Sequence, residues 1–254
     1  MNIGIIGAGQ IGSTLARRLS SLGHTISLAN SRGPETLRAL AAETGATAVS
    51  VTDAVRGAAL VVVTIPQKSV PLLPKGLFRG VPDDVVVVDT GNYYPSIPVL
   101  GDKALVRDGR IDDIEGGMAE SRWVARHLER PVVKVFNNIT WHSLATGGLP
   151  RGTAGRIALP IAGDDAKAQA VVIGLVDSLG FDGVDAGTLD ESWRQEPGTP
   201  VYCTDFDAEG VRRALSQADR SRSHAMRELA IQKLVQLPKD SPRETIIRLM
   251  RSLF

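Results

Sequence analysis

The sequence predicts an α/β fold in which helices cover both faces of a doubly wound, mostly parallel sheet, followed by a helical C-terminal extension. Two runs, LVVVTIP at 60–66 and DVVVVDT at 84–90, are rich in β-branched residues, as are strands that parallel sheets bury on both faces. Amphipathic helical patterns alternate with such runs as far as about residue 187. With 254 residues, 43% of them hydrophobic, the chain can bury a large core.

The first half of the chain is expected to alternate strands and helices. Its first apolar run ends in glycines, and the following stretch has Ile11, Leu15 and Leu19 at helical spacing. A third helix is expected to be capped by Thr52 or Asp53. Strands are predicted at 3–6, 24–30, 46–50, 60–66 and 84–90, and helices at 10–22, 34–44 and 52–58.

The second half continues the alternation and then changes character. Residues 188–206 show no clear periodicity, although they contain several aromatic and charged side chains. Apolar spacing then predicts two helical segments, at about 208–236 and 242–254, each suited to packing on a neighbour. Before this tail, strands are predicted at 131–136, 155–163 and 181–187, and helices at 138–146 and 164–180.

A glycine motif marks the end of the first strand. Gly7, Gly9 and Gly12 form a GxGxxG pattern directly after a strand and at the start of a helix. In this context Gly7 permits the tight turn, Gly9 lets a pyrophosphate approach the backbone, and Gly12 lets the helix pack on the sheet. The free N–H groups at the start of the helix, which is expected to begin at Gln10, then face the phosphates. The motif therefore predicts a Rossmann-type dinucleotide-binding fold.

The end of the second strand indicates which dinucleotide is bound. An acidic residue usually contacts the adenosine ribose here, but this chain has Asn30, Ser31 and Arg32. A hydroxyl and a guanidinium fork suit a 2′-phosphate, which a carboxylate would repel. The residues therefore predict NADP(H) rather than NAD(H). Arg38 either adds charge to this site or is a surface residue.

The ends of the following strands should line the same crevice. Thr64, Ile65 and Pro66 are expected to form a wall against the cofactor, and Asn92 is expected to reach its nicotinamide half. The alternative for each of them is turn chemistry, because such residues are common in loops.

Two residues near the next strand are the catalytic candidates. Asn137 is predicted to contact the nicotinamide carboxamide, with His142 or Trp141 facing the acceptor. The alternatives are helix capping by Asn137 or Asn138 and a structural role for the histidine. Ser121, in another predicted helix start, is expected to be a cap.

Composition excludes several function classes. The formal net charge of +1, without a basic run, argues against a nucleic-acid partner, and no apolar segment predicts a membrane span. The N-terminus has no secretory pattern, and Cys203 is the only cysteine, so a cytoplasmic location is expected. The four histidines show no metal-ligand spacing, and no metal site is predicted.

Taken in order, these motifs resemble the deazaflavin-dependent NADP oxidoreductases, which reduce coenzyme F420 with NADPH or run in reverse. The similarity covers about residues 1–187 and includes VVKVFNNI and LPIAGDD. It implies a Rossmann domain joined to a smaller C-terminal part, with the deazaflavin as cosubstrate in the cleft between them. It further implies that Ser31 and Arg32 hold the 2′-phosphate and that the backbone of Gly9 and Ile11 lies under the pyrophosphate. The residues implied to neighbour the nicotinamide are Ile65, Asn92 and Asn137.

The tail from residue 188 extends beyond what the resemblance covers. We therefore expect an NADP-binding domain with appended βαβ elements at 1–187, and a loop with helices at 188–254 that shapes the acceptor pocket or joins a homodimer. Trp193, Arg194, Glu196 and Tyr202 either contact the small-molecule acceptor or belong to a rigid surface loop.

The sequence does not identify the molecule that accepts the hydride. Hydride transfer to a deazaflavin is chiefly an alignment problem and needs no nucleophile. A ketone or imine acceptor would also need a proton donor, for which His142, Tyr93 and Tyr202 are candidates, and flavins or quinones are further alternatives. A noncatalytic NADP-binding sensor is the remaining hypothesis.

Overall fold

The computed structural model describes residues 1–98, 104–238 and 241–254. Its strands are β1 Asn2–Ile6, β2 Thr25–Ala29, β3 Thr47–Ala48, β4 Leu60–Val63, β5 Val86–Asp89, β6 Ser96–Pro98, β7 Ala104–Val106, β8 Val133–Lys134, β9 Ala158–Ile161 and β10 Asp182–Asp185. Its α-helices are α1 Gln10–Ser21, α2 Arg38–Thr44, α3 Val51–Ala54, α4 Asp112–Glu115, α5 Glu120–Leu128, α6 Trp141–Thr146, α7 Ala166–Ser178, α8 Ala208–Ser216, α9 Arg220–Val235 and α10 Arg243–Arg251. Three 3-10 helices lie at Pro34–Leu37, Gln67–Leu72 and Leu189–Gln195.

The main sheet has six parallel strands in the order β3-β2-β1-β4-β5-β8. The chain moves outward from β1 to β3 and then returns to place β4 beside β1. Ile6 pairs with Ala29 on one side and with Val63 on the other, so β1, β2 and β4 end level with one another. The carboxyl ends of these strands therefore meet where the strand order reverses, which is where such sheets bind ligands.

Both faces of the sheet are buried, which confirms the predicted doubly wound α/β fold. On one face, Ile5 and Val62 belong to an apolar cluster that includes residues from α1 and α7. On the other face, Ile6 and Val63 belong to a cluster with residues from α3 and α5. Because successive strand residues point to opposite faces, strands covered on both sides read as continuous apolar runs.

The later strands do not extend this sheet. β9 and β10 form a separate parallel pair, and one antiparallel bridge between Lys134 and Ala162 links it to β8. α8 packs on this pair, with Val211 and Ala214 against Val184. Among the described residues, no helix combines the length and the apolar character needed to cross a membrane.

Several predicted boundaries are wrong. The helix expected over 208–236 is two helices, because Asp219 starts a new one by accepting a hydrogen bond from the Ser221 N–H. Ser50, not Thr52 or Asp53, caps α3, and Thr140, not either asparagine, caps α6. The predicted strand at 131–136 pairs only at Val133–Lys134.

Candidate functional site

A cavity of about 560 Å³ lies at the carboxyl ends of β1, β2 and β4. The register of these strands brings their loops together from distant parts of the chain. Three of the predicted cofactor residues, Gln10, Ile11 and Gly12, lie in the first turn of α1 beside it. The lining includes eight of the other predicted residues: Gly7, Gly9, Asn30, Ser31, Arg32, Thr64, Ile65 and Pro66.

Two glycines in the turn are required by the protein's own packing. Gly7 has φ +115°, and a Cβ there would lie 2.2 Å from the carbonyl oxygen of Thr64. A Cβ on Gly12 would lie 2.0 Å from the carbonyl oxygen of Gly7. These contacts bring the start of α1 close to β4, so the turn is held tightly against the sheet.

Gly9 differs, because no atom of the residues that the structure describes lies within 4 Å of the Cβ it would carry. It is the N-cap of α1, and no side chain caps this helix end. The first N–H groups of α1 therefore have no partner within the helix and present its positive dipole end. An open approach and free donors fit a pyrophosphate, so this part of the site suits a dinucleotide.

The loop after β2 is shaped by Asn30. Its amide donates to Thr36 Oγ1 at 2.9 Å, and its Oδ1 accepts from the Arg32 N–H at 2.9 Å. The predicted ribose contact thus also organises the turn that presents Ser31 and Arg32, both of which are exposed. Within the described residues the Arg32 guanidinium makes no hydrogen bond or ion pair, which leaves its donor fork available to a phosphate.

Asn92 and Asn137 lie in a second polar group beyond the lining of this cavity. The Asn92 amide donates to the Asn137 carbonyl at 2.9 Å and to the Tyr202 hydroxyl at 3.1 Å. The Asn137 amide donates to Asn92 Oδ1 at 3.1 Å and to the Gln195 carbonyl at 2.7 Å. Asn137 is only 2% exposed. Its side chain therefore fixes the orientation of Asn92 and bonds to the chain at Gln195.

His142 does not join this group by a hydrogen bond. It is half-buried at the start of α6, and its ring stacks on Trp141 with centroids 3.6 Å apart. It does not line the 560 Å³ cavity. Asn137 and His142, the two residues predicted to be catalytic, therefore belong to different groups of side chains and share no hydrogen bond among the described residues.

Sequence reasoning missed a buried ion cluster between β5, α5 and β8. Lys134 Nζ donates to the Gly91 carbonyl at 2.9 Å and to Glu120 Oε2 at 3.4 Å, and lies 3.8 Å from Asp89 Oδ2. Ser121 donates to Asp89 Oδ2 at 2.6 Å, so its prediction as a helix cap is wrong; Ala119 is the N-cap of α5. The available signal was a lysine within an apolar strand pattern.

Burial shifts the protonation of this cluster. It raises the pKa of Glu120 to about 8, and the nearby Glu196 carboxylate adds to the effect. Burial acts to lower the pKa of Lys134, but the Glu120 and Asp89 carboxylates outweigh it and raise that pKa. Lys134 therefore stays charged, and Glu120 beside it binds its proton more tightly than a carboxyl in water does.

A pair of tyrosine hydroxyls lies beside Asn92. The Tyr94 and Tyr202 hydroxyl oxygens are 2.5 Å apart, and Tyr202 accepts from the Asn92 amide. Burial raises the pKa of both phenols, so both remain protonated at neutral pH. They are placed to donate hydrogen bonds rather than to carry charge.

The similarity to known proteins is strongest in the N-terminal part of the chain. A family model described as NADP oxidoreductase, coenzyme F420-dependent, matches residues 2–93, which include the whole cavity lining. The Escherichia coli K12 protein YjhV is 44% identical over 77 residues, covering 30% of this chain and 56% of that protein. The match thus spans little more than half of that relative's length.

Solved structures extend the similarity to most of the chain. A hypothetical protein from Sinorhizobium meliloti is 32% identical with a TM-score of 0.64, over 81% of this chain and 95% of that one. A protein from Arthrobacter sp. FB24, provisionally named an F420-dependent NADP reductase, is 25% identical with a TM-score of 0.60, over 76% and 87%.

The tail also has a structural parallel. An imine reductase variant from Myxococcus stipitatus matches 99% of this chain and 72% of its own, with a TM-score of 0.53 and 16% identity. At that identity the likeness concerns the fold alone. The sheet topology, the glycine turn and the family match of residues 2–93 all indicate the same Rossmann-type dinucleotide-binding fold. Residues 2–93 therefore belong to the family of coenzyme F420-dependent NADP oxidoreductases.

Proposed function

We propose that this chain binds NADP(H) in the 560 Å³ cavity and transfers hydride between it and a deazaflavin of the coenzyme F420 type. The observation that carries the proposal is the gathering of the glycine turn, the Ser31–Arg32 pair and Thr64–Pro66 around one cavity. Family membership supports the same activity.

Each part of the cavity has a task in this proposal. The first turn of α1 would hold the pyrophosphate with backbone N–H groups, and Ser31 and Arg32 would hold the 2′-phosphate. Thr64, Ile65 and Pro66 would form the wall that fixes the dinucleotide against the sheet. When bound, NADPH supplies the hydride, so the chain's own contribution is orientation and exclusion of water.

The nicotinamide half would extend toward the carboxyl ends of β5 and β8, where Asn92 and Asn137 lie. The Asn137 amide holds Asn92 in one orientation through the 3.1 Å contact with its Oδ1. We assign the deazaflavin to this side of the sheet because the donor and acceptor rings must stack closely. The name of the Arthrobacter relative supports this acceptor.

A reductase acting on a ketone or imine is the second candidate. It is favoured by the Tyr94–Tyr202 hydroxyl pair, whose Tyr202 member reaches Asn92 at 3.1 Å. Such acceptors need a proton at the heteroatom after hydride addition, and a protonated phenol can hold one there. A deazaflavin does not require that donor.

The experiment that tests the proposal follows NADPH oxidation at about 340 nm, the nicotinamide absorbance used with this cofactor class. Purified protein is supplied with oxidised F420 or, in parallel, with a flavin, a quinone, a ketone and an imine. Turnover with F420 alone supports the proposal. Turnover only with the ketone or imine selects the second candidate, and NADPH binding without any turnover indicates a sensor.

The arrangement of the chain is part of the same proposal. We assign residues 1–187 to cofactor binding and residues 188–254 to closing the acceptor side, with a homodimer as the working unit in a reducing, cytoplasmic setting. Light scattering during gel filtration tests the dimer against the chain mass of 27.0 kDa.

A further inference from the structure

The buried lysine at the end of β8 contacts one of the loops proposed to meet the nicotinamide and leads into the other. Lys134 is fully buried, and its Nζ donates to the Gly91 carbonyl at 2.9 Å. Gly91 directly precedes Asn92, and Lys134 itself lies shortly before Asn137 in the chain. The function proposed above gives the two asparagines a task but gives the lysine none.

Both polar groups of the Gly91 backbone are held by the ion cluster. Its N–H donates to Asp89 Oδ1 at 2.8 Å, and its carbonyl accepts from Lys134. The Gly91 carbonyl and the Asn92 nitrogen belong to one planar peptide unit, so the bond from Lys134 fixes the plane that carries the Asn92 Cα. The loop also lies close against the cluster, because a Cβ on Gly91 would lie 2.7 Å from Gln67 Oε1. The backbone position of Asn92 therefore depends on the lysine.

The turn after β8 is constrained as well. Phe136 is fully buried and has φ +62°, a left-handed conformation that bulky residues rarely adopt. Such a conformation is costly and persists only where the surroundings determine it. Just before this turn, the Val135 N–H donates to the Asp89 carbonyl at 3.2 Å. The turn then places the Asn137 amide 3.1 Å from Asn92 Oδ1. The contacts where the two loops begin therefore determine how their asparagines meet.

The contacts of Asn92 orient it as an acceptor toward a ligand. The two protons of its amide are donated to the Asn137 carbonyl and to the Tyr202 hydroxyl. Its Oδ1 accepts from the Asn137 amide, and an amide oxygen has a second lone pair. In this orientation the half-buried Asn92 can accept a hydrogen bond from a ligand. The carboxamide N–H groups of a nicotinamide are donors of the matching kind.

Packing alone does not account for a buried ion cluster at this position. Apolar side chains of similar volume often replace buried charges with equal or greater stability. What the charges add is direction, because each hydrogen bond fixes the position of a particular atom. Among the atoms that Lys134 contacts, the Gly91 carbonyl oxygen belongs to the peptide unit of Asn92.

We infer that Lys134 is a positioning residue, which aims Asn92 at the carboxamide of the bound nicotinamide through the Gly91 peptide. The inference rests on the NADP(H) binding proposed above and deepens it. Lys134 acts on the cofactor only through Asn92.

Calorimetric titration with NADPH and with 2′-phospho-ADP-ribose, which lacks only the nicotinamide, tests this inference. Lys134→Met is combined with Glu120→Gln, so that Glu120 is not left as an uncompensated buried charge. Asp89 keeps its hydrogen bonds from Gly91 and Ser121. The double variant should bind NADPH roughly three- to tenfold more weakly, as for one lost hydrogen bond, and should bind 2′-phospho-ADP-ribose normally. Glu120→Gln alone is the matched control and should bind both normally, since it keeps Lys134.

Asn92→Ala shows whether the lysine acts through the asparagine. Alone, it should weaken NADPH binding by a similar factor. Added to the double variant, it should weaken binding little further, because the effects of coupled residues do not add.

Gly91→Ala keeps the test decisive if the double variant does not fold. Its Cβ would lie 2.7 Å from Gln67 Oε1 and 2.9 Å from Asp89 Oδ1. The contacts that hold this loop therefore change while every charge stays. The same selective loss of NADPH affinity is expected.

Four results would overturn the inference. They are no preference of the unaltered protein for NADPH over 2′-phospho-ADP-ribose, unchanged NADPH affinity in the variants, equal weakening of both ligands, and additive losses on combination with Asn92→Ala. The proposed function is judged separately. Turnover with F420 together with equal weakening of both ligands would keep that function and reject the positioning role. A selective loss of NADPH affinity without any turnover would reject the oxidoreductase function and leave the positioning role standing.

Discussion

Gly9 and Gly12 stand three residues apart, yet they are glycines for different reasons. A Cβ on Gly12 would lie 2.0 Å from the Gly7 carbonyl oxygen, whereas a Cβ on Gly9 would have no atom of the described part of the chain within 4 Å. We therefore propose that Gly9 is a glycine because a ligand approaches it, whereas Gly12 is a glycine because the fold requires it. The spacing of the motif identifies both, but only the surrounding backbone distinguishes them.

Alanine at each position should separate these roles. Gly9→Ala is expected to change the free energy of unfolding by less than about 1 kcal/mol, because its backbone angles suit alanine. It should weaken NADPH binding strongly. Gly12→Ala should cost about 1–3 kcal/mol of stability through overpacking. Denaturant unfolding and NADPH titration of both variants provide the measurements, and full NADPH affinity in Gly9→Ala would contradict the assignment.

Arg32 makes a separate prediction at the residue scale. Arg32→Ala should weaken NADPH binding by about 1–3 kcal/mol, roughly 5- to 150-fold, because a charged hydrogen bond to the 2′-phosphate is lost. NADH binding should hardly change. Arg38→Ala is the control, since Arg38 is exposed on α2 and does not line the cavity. Equal losses for both dinucleotides would refute the assignment of NADP selectivity.

At the scale of elements, a buried ion cluster fixes α5 against β5 and β8. Lys134 is fully buried and Glu120 is 1% exposed, so the cluster has little contact with water. Removing one partner from such a group leaves a buried charge without compensation. The periodicity of the two elements does not predict that these charged residues are buried together. Lys134 interrupts an otherwise apolar strand pattern, and Glu120 starts an amphipathic helix pattern.

This cluster predicts how stability depends on pH. The pKa of Glu120 rises from 4.5 to about 8 on folding, so the folded state binds its proton more tightly than the unfolded state. The corresponding stabilisation is complete below the unfolded value and is lost as the pH rises through about 8. Glu120→Gln should therefore flatten the fall in unfolding free energy between about pH 5.5 and about pH 8.5.

Urea unfolding at both pH values measures the effect. Glu228→Gln, at an exposed position on α9, is the control. Its unfolding free energy should fall with pH as steeply as that of the unaltered protein. An identical slope in Glu120→Gln and in the unaltered protein would show that this carboxyl does not change its proton affinity on folding.

At the scale of the whole molecule, hydrogen bonds join residues 188–254 to residues 1–187. The Gln195 carbonyl accepts from Asn137, the Cys203 N–H donates to the Asn138 carbonyl at 2.9 Å, and Ser143 donates to Asp205 at 2.6 Å. These contacts involve two segments of residues 188–254, the end of the 3-10 helix Leu189–Gln195 and the loop at 203–205. We therefore expect both parts to unfold together.

Met250 tests this coupling. It is fully buried on α10 in a cluster with Tyr202 and Ala230. Met250→Ala should reduce the free energy of unfolding by about 2–5 kcal/mol, because one cooperative unit loses core packing. Calorimetry should then show a single unfolding transition at a lower midpoint temperature. Leu229→Ala, at a 36% exposed position, should cost much less. A separate low-temperature transition confined to the Met250 variant would mean that the tail melts independently.

The sequence predicted which segments line the 560 Å³ cavity because the determinants of this cavity are local. Each of the segments 7–12, 30–32 and 64–66 follows a strand whose apolar pattern is visible, and a parallel sheet brings such ends together. Helix boundaries were predicted less well. Ser50, Thr140 and Asp219 cap helices that had been assigned other starts, because several neighbouring residues could each have served as a cap.

By itself the sequence determined the doubly wound sheet, the glycine turn and the arginine at the end of β2. These features depend on residues close together in the chain, so local pattern and backbone chemistry specify them. Only the tertiary structure decided that Lys134 meets Glu120, that Asn137 bonds to the tail through Gln195, and that Arg227 pairs with Glu115. Those contacts join distant segments, and their burial and charge exist only once the chain has folded around them.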